Sequence, residues 1–508
     1  MIRRFAFAVV LASVIAGTSA AVSPAVAAGP SCDSLAALKL PDTTITAASP
    51  VDAGPFNAPG ASPAAAPLQV PAFCRVTATI KPSAESHINI EVWLPAASDW
   101  NGQFLGTGNG GAGGVIVYGA LASGVRKGFA VTNTDLGTTT TGLDMSFGIG
   151  HPELQKDWAY RATHLMTVVA KEITSRYYGR TPSVAYFTGC STGGHQAIAE
   201  ARRYPKDYDG IVAGAPAYET VRVGVLAAWN WMVTHEDPES TIPAAKIPVI
   251  RRAVVGACDG IDGIKDDVID DPRRCAFDPM TLVCAGGDAA DCLTRKQAIA
   301  LKRIYQGPTN PRTGKPIVAG TPRGSEANVR GLELYAGPSL SIGGFFEWAS
   351  NWKGPKFDFD RDLDTVRKDL SFTDYSDPHL DAFRTRGGKL LVYSGWADPI
   401  VTPGDIVSYY EGLQKAMGGP VETAKFARLF LLPGMGHCRA GDGPSSFDAL
   451  AALAPWVEKG IAPDQFTASL VAKGQTVRTR PICAYPQYAR WNGTGSTDAA
   501  ANFTCVTR

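Results

Sequence analysis

The stretch Gly189-Cys190-Ser191-Thr192-Gly193 stands between an apolar run, SVAYF, and a helix-forming run, QAIAEARRY. A G-x-S-x-G sequence in that setting predicts a sharp strand-to-helix turn that raises a serine hydroxyl above the edge of a sheet. Glycine on either side leaves room where a side chain would collide. The helix that follows aims its first backbone N–H groups, and the positive end of its dipole, at the same point. The bare pattern also fits a tight structural turn; the flanking strand and helix are what favour a nucleophile.

The rest of the chain agrees with such a turn. HINIEVWLP alternates apolar and polar residues as a half-buried strand does, and QFLGTGNGGAGG reads as a strand end followed by a glycine loop. GFAVTNTD, SVAYFTG, IVAGAPA, KLLVYSG and RLFLLPG read as further strands, with a helix over DWAYRATHLMTVVAKEITSRYYG. Strands alternating with amphipathic helices predict an α/β fold with a mostly parallel sheet. Residues 41–72, rich in Ala, Pro and Thr, predict irregular extended structure with a few short strands. Over 218–375 the pattern changes to Gly, Pro, four cysteines, an acid-rich loop and the aromatic segment GGFFEWASNW. This stretch reads as an inserted lid domain between a first core part, 28–217, and a second, 376–508.

Residues 1–27 read as a signal peptide: Arg3 and Arg4, the apolar FAFAVVLASVIAG, then Ala25-Val26-Ala27 as a cleavage site. The paired arginines also fit twin-arginine export. The apolar core is short for a membrane span, and no later run of twenty apolar residues exists, so the expected location is secreted or periplasmic. Charge is balanced, 48 basic against 47 acidic residues, which argues against a nucleic-acid binder. Ten cysteines in an exported chain predict five disulfides. Counting does not fix their connectivity. Cys258/Cys275, Cys284/Cys292 and Cys483/Cys505 each bracket a short loop, Cys32 and Cys74 are the two near the N-terminus, and Cys190 and Cys438 remain.

A serine nucleophile needs a base, and the base an orienting acid. Asp398 follows the strand KLLVYSG and His437 follows RLFLLPG, in the order Ser, acid, His of this fold class. An Asp before Pro can also simply start a turn. His195 stands on the helix after the turn, where packing is its expected role. Cys190 precedes Ser191 and Cys438 follows His437, so a disulfide between them would tie the nucleophile's loop to the base's loop. The backbone N–H of Thr192 is the expected first oxyanion donor; the second comes from GNGGAGG, with Gly110 and Gly111 the candidates.

CDGIDGIKDDVIDDPRRC lacks the EF-hand spacing but suits a compact all-oxygen site. Asp259, Asp262 and Asp266 would offer carboxylates, and Ile264 and Val268 backbone carbonyls, to a structural Ca²⁺. The alternative is a solvated acidic loop.

GCSTGG, GWADPIV, GMGHC, the GNGG loop and CDGIDGIKDDVIDDP together resemble the tannase and feruloyl esterase family, which includes mono(2-hydroxyethyl) terephthalate hydrolase. The resemblance extends in outline over most of the mature chain. It implies an α/β-hydrolase core with an inserted lid, a disulfide-linked triad and a lid calcium. Carried over residue by residue, the triad falls on Ser191, Asp398 and His437. The calcium ligands fall on Asp259, Asp262, Ile264, Asp266 and Val268. The implied activity is a secreted serine carboxylic ester hydrolase acting on a small aromatic ester, feruloyl or galloyl, through an acyl-enzyme. Phe345, Phe346, Trp348 and Trp352 either stack against a phenolic ring or form lid core. GGFFEWASNW carries no arginine to clamp a free carboxylate, although Arg323 and Arg330 lie upstream. A terephthalate-type hydrolase, a generic carboxylesterase or peptidase, and a catalytically silent surface-binding protein are the rival readings. Nothing in the sequence fixes an oligomeric state.

Overall fold

A computed structural model describes residues 1–2, 31–328, 344–349 and 357–507. The signal-peptide reading, beyond its first two residues, lies outside the described residues, as do Trp352 and Arg330.

Nine strands form one mixed sheet. In chain order they are β1 (Thr43–Val51), β2 (Phe73–Ile80), β3 (Ile88–Pro95), β4 (Gln103–Thr107) and β5 (Ala130–Thr134). They continue as β6 (Val184–Cys190), β7 (Gly210–Gly214), β8 (Lys389–Gly395) and β9 (Ala427–Leu432). Their order across the sheet is β1-β2-β3-β5-β4-β6-β7-β8-β9. The first three are an antiparallel meander, joined antiparallel to β5. From β5 to the β9 edge all neighbours are parallel. The chain runs from β4 to β5 on one side and then to β6 on the other. A crevice at the carboxyl ends of the strands opens at such a reversal.

Within 41–72, Gly54–Phe56 and Leu68–Val70 pair as the expected short strands, and Thr43–Val51 forms a nine-residue strand, longer than expected. Its Pro50 is tolerated because β1 is an edge, where no neighbour needs the missing N–H. HINIEVWLP forms β3, but both of its faces are covered. Ile88, Ile90, Val92 and Leu94 join one core cluster and Trp93 the other. Glu91 is buried because Arg75 reaches it at 2.9 and 2.5 Å, and Tyr118 and Trp93 also donate to it.

Helices α1 (Tyr118–Arg126), α2 (Ala162–Tyr178), α3 (Thr192–Arg203) and α4 (Thr220–His235) follow the successive crossovers. A single π-helical turn, Asp157–Arg161, leads into α2. Between β7 and β8 the described part of 218–375 contains helices, among them α5 (Ile247–Cys258) and α6 (Arg295–Gln306). Its two ends meet: Tyr375 N donates to Tyr218 O at 2.8 Å, so the insertion leaves and rejoins the core at one point. It has its own small core, with Ile250, Val254, Leu293 and Leu301 fully buried. After β9 come α7 (Ala449–Lys459) and a hairpin of β10 (Gln465–Ala472) and β11 (Gln475–Cys483), which the sequence reading did not separate from the core. All five expected disulfides are formed: Cys32–Cys74, Cys190–Cys438, Cys258–Cys275, Cys284–Cys292 and Cys483–Cys505.

Close backbone contact seats α3. A Cβ on Gly194 would stand 2.3 Å from Gly214 O and 2.6 Å from Pro216 Cα, neither of which can swing aside. Gly194→Ala is therefore expected to lose about 1–3 kcal/mol in a denaturant melt. Gly256→Ala, on α5 with open space around it, should be neutral or gain up to about 1 kcal/mol.

Candidate active site

Ser191 sits where β6 ends and α3 begins, at φ 64° and ψ −118°. A non-glycine residue there is strained, and the surroundings must hold it. Its N–H donates to Gly214 O at 3.0 Å on the neighbouring strand end. The glycines of the motif are required sterically: a Cβ on Gly189 would lie 2.5 Å from Gly193 O.

Three loops converge on the hydroxyl. Ser191 Oγ lies 2.8 Å from His437 Nε2, and His437 Nδ1 lies 2.8 Å from Asp398 Oδ2. With the proton on Nδ1, the ring donates to the carboxylate and accepts from the serine. Asp398 is fully buried, while the His437 side chain keeps 13% exposure. The other carboxylate oxygen accepts from Ile400 N at 2.8 Å and Val401 N at 3.1 Å, which fixes its plane. Cys190 and Cys438 are bonded, with their Cα atoms 5.9 Å apart, directly beside Ser191 and His437. Cys438 has φ 63°, a turn that a side chain seldom adopts unaided.

The glycine loop meets α3. Gly193 N donates to Asn109 O at 2.8 Å, and Gln196 Oε1 accepts from Asn109 N at 2.8 Å. Gly111 takes φ 55°, and a Cβ there would stand 1.7 Å from Gly142 O. Its carbonyl accepts from Thr192 Oγ1 at 2.8 Å and Trp158 Nε1 at 3.2 Å. The N–H groups of Thr192 and Gly111 have no acceptor among the described residues. Gly110 is exposed and turned away; its carbonyl accepts from Gly113 N at 3.1 Å, and it does not line the cleft.

Beside Ser191 and Thr192 opens a cleft. Trp158, Phe345, Met145, Val223, Ile400 and Val401 give its wall an apolar character, and none of its described lining residues is ionisable. Of the four lid aromatics, Phe345 lines the cleft. Phe346 is instead core, stacked on Phe357 at 4.7 Å over Gly224, where a larger residue would collide. Trp348 is core too, its Nε1 donating to Met145 O at 2.7 Å and its ring against Phe147 and Trp158. Arg323 lies elsewhere, over the Tyr305 ring, donating to Phe277 O. Trp158 was missed in the sequence reading, because an aromatic inside a helical run carries no signal that it faces a cleft.

His195 is fully buried, with Nδ1 3.1 Å from Ala217 O and Nε2 3.0 Å from Ala159 O. Burial pushes its pKa down to about 4, so the ring is neutral at physiological pH.

In the acid-rich loop, Asp259 accepts from the N–H groups of Asp266, Asp267 and Val268. Asp262 Oδ1 accepts from Ile264 N at 3.0 Å. Asp266 meets Arg480 at 2.5 Å and Arg478 at 3.3 Å, both on β11. Burial raises the pKa of Asp262 and of Asp266; the two guanidiniums oppose the shift at Asp266 without overcoming it. Three carboxylates on a disulfide-closed loop, with carbonyls at Ile264 and Val268, have the all-oxygen chemistry of a hard cation's site. The three side chains are not all drawn within 4.8 Å of one another.

The chain matches the family model described as tannase and feruloyl esterase over residues 74–334 and 346–506. It is 34% identical to mono(2-hydroxyethyl) terephthalate hydrolase of Piscinibacter sakaiensis, over 91% of this chain and 88% of that one. It is 32% identical to feruloyl esterase B of Aspergillus niger, over 85% of this chain and 87% of that one. The crystal structure of feruloyl esterase B from Aspergillus oryzae superposes with a TM-score of 0.85 at 27% identity, covering 94% of this chain and 100% of that one.

Replacing Cys190 and Cys438 together by serine should lower the unfolding free energy by up to about 5 kcal/mol, from chain entropy alone. Ester turnover should fall in kcat more than in KM, because the loops lose alignment rather than the cleft its shape. Denaturant melts and steady-state kinetics check both effects.

Proposed function

The chain belongs to the tannase and feruloyl esterase family and is a carboxylic ester hydrolase, and from that premise we propose that it cleaves esters of aromatic, phenolic acids through an acyl-enzyme on Ser191. The observation that carries this reading is the 2.8 Å contact of Ser191 Oγ with His437 Nε2, at the mouth of an uncharged cleft walled by Trp158 and Phe345.

Ser191 Oγ attacks the ester carbonyl carbon while His437 Nε2 takes its proton. Asp398, already bonded to Nδ1–H, stabilises the imidazolium that results. The carbonyl oxygen, now negative, receives the N–H groups of Thr192 and Gly111. His437 returns its proton to the departing alcohol oxygen as the C–O bond breaks, leaving the acyl group on Ser191. Water then attacks, His437 taking one of its protons and giving it back to Ser191 as the acid leaves. A planar aromatic acyl group suits a wall of two rings and no charge. The insertion 218–375 acts as the lid, since Thr220, Val223 and Phe345 of the cleft come from it.

A terephthalate monoester, as in the relative from Piscinibacter, presents a free carboxylate, for which the described cleft wall offers no cation. That favours a neutral phenolic acid. Five disulfides support an oxidising location, secreted or periplasmic. Among the described residues no helix is long and apolar enough to cross a membrane.

A structural Ca²⁺ belongs to the same reading. Asp259, Asp262 and Asp266, with the carbonyls of Ile264 and Val268, would hold it. Its charge would relieve the repulsion among the buried carboxylates.

Ser191→Ala should lose about 10⁴–10⁶-fold in kcat and all labelling by a fluorophosphonate. Methyl ferulate or methyl gallate should be cleaved faster than a terephthalate monoester or a peptide; the reverse order would defeat the substrate assignment. Chelation by EDTA should lower the melting temperature by about 5 °C, with recovery in Ca²⁺ and not in Mg²⁺; an unchanged melt would remove the calcium site.

A further inference from the structure

His195 takes no proton from the reaction, yet it touches both walls of the cleft. One wall is the π-helical turn Asp157–Arg161. Such a turn carries an extra residue, which widens the helix and re-aims side chains and carbonyls. Here it brings Trp158 to the cleft and turns the carbonyl of Ala159 onto side-chain donors: His195 Nε2 at 3.0 Å and Tyr375 Oη at 3.2 Å. The other wall it touches is the chain leaving β7, where Ala217 lines the cleft and its carbonyl faces His195 Nδ1 at 3.1 Å. The ring lies between these carbonyls, 5.1 Å from Trp158 and 4.9 Å from Tyr375, centroid to centroid.

We propose that His195 is a positioning residue that sets the gap between Trp158 and Ala217, and thereby selects flat aromatic acyl groups. This rests on the aromatic-ester reading above. The imidazole is a rigid spacer whose two nitrogens are each within hydrogen-bonding distance of one wall. A neutral ring donates to one carbonyl at a time. Each carbonyl has a second donor in reserve, the Tyr375 hydroxyl for Ala159 and the Thr220 hydroxyl, at 3.5 Å, for Ala217. An aliphatic residue at 195 would keep the volume and lose the ring's hydrogen bond to the carbonyl it serves. The walls would then be free to separate, and a thin ring would gain least from the wider gap.

The test is acyl selectivity, measured as the ratio of kcat/KM for methyl ferulate to that for p-nitrophenyl acetate. In His195→Leu the ratio should fall about tenfold, mainly through KM for the ferulate, while acetate turnover stays within about threefold of wild type. His195→Gln, whose amide again reaches the carbonyls, should recover most of the ratio. Tyr375→Phe, which removes the reserve donor to Ala159, should lower it about two- to threefold. An equal loss for both esters, or an unchanged ratio in folded protein, overturns the proposal. Should His195→Leu fail to fold, an unchanged ratio in both His195→Gln and Tyr375→Phe does so. A wild-type preference for aliphatic acyl chains would sink the substrate reading instead; the same comparison, taken as hexanoate over acetate, then decides the spacing role.

Discussion

The bond between Cys190 and Cys438 joins two points 248 residues apart in the chain, and the residues next to those points carry the hydroxyl and the imidazole. Both neighbouring turns are strained: Ser191 and Cys438 each sit at positive φ. Non-covalent packing alone would let such loops relax towards commoner backbone angles. A covalent tie removes that option, so the 2.8 Å contact between Ser191 and His437 is held in place before a substrate arrives. Preorganisation of this sort lowers the entropy lost when the reacting atoms align.

The other half of the site is organised along one helix. Ser191 precedes α3, Thr192 opens it, and His195 and Gln196 stand one turn further along. Residues four apart share a helix face, so one rigid element carries the Ser191 hydroxyl, the Thr192 N–H, the cleft wall and the contact with the glycine loop. Gln196 is fully buried because its amide bridges Asn109 and Thr163. The helix can carry these roles because Gly193 and Gly194 let it press on the backbone of two neighbouring strand ends.

The cleft is lined by apolar side chains and uncharged polar ones, where the developing oxyanion would meet oriented N–H groups with little water to compete. The acid-rich loop of the insertion, by contrast, is dense in carboxylates, and Arg478 and Arg480 tie it to the C-terminal hairpin. The insertion is anchored to the core where Tyr218 and Tyr375 leave and rejoin it, by Asp266 against β11, and by further contacts such as Arg222 on Asp405, Arg251 on Asp442 and Trp348 on Met145 O.

How much of this was legible follows from the range of the forces involved. Alternating and continuous apolar runs specify strands locally, so the later strands of the sheet could be read from the chain. The length of the edge strand Thr43–Val51 could not, since its pairing with Phe73–Ile80 outweighs the weak propensities of an Ala- and Pro-containing run. The motif residues Ser191, Asp398 and His437 were identifiable because each follows a strand, and two of them adjoin a cysteine. Phe345, Phe346 and Trp348 looked alike in sequence; only packing sent one to the cleft and two to the core. Trp158 and the two faces of His195 were invisible for the same reason, being defined by neighbours far along the chain. The sequence by itself determined which groups can do chemistry, because that depends on side-chain type and local turn. Tertiary structure alone decided the width and charge of the cleft, because those arise from surfaces that meet only when distant segments close-pack.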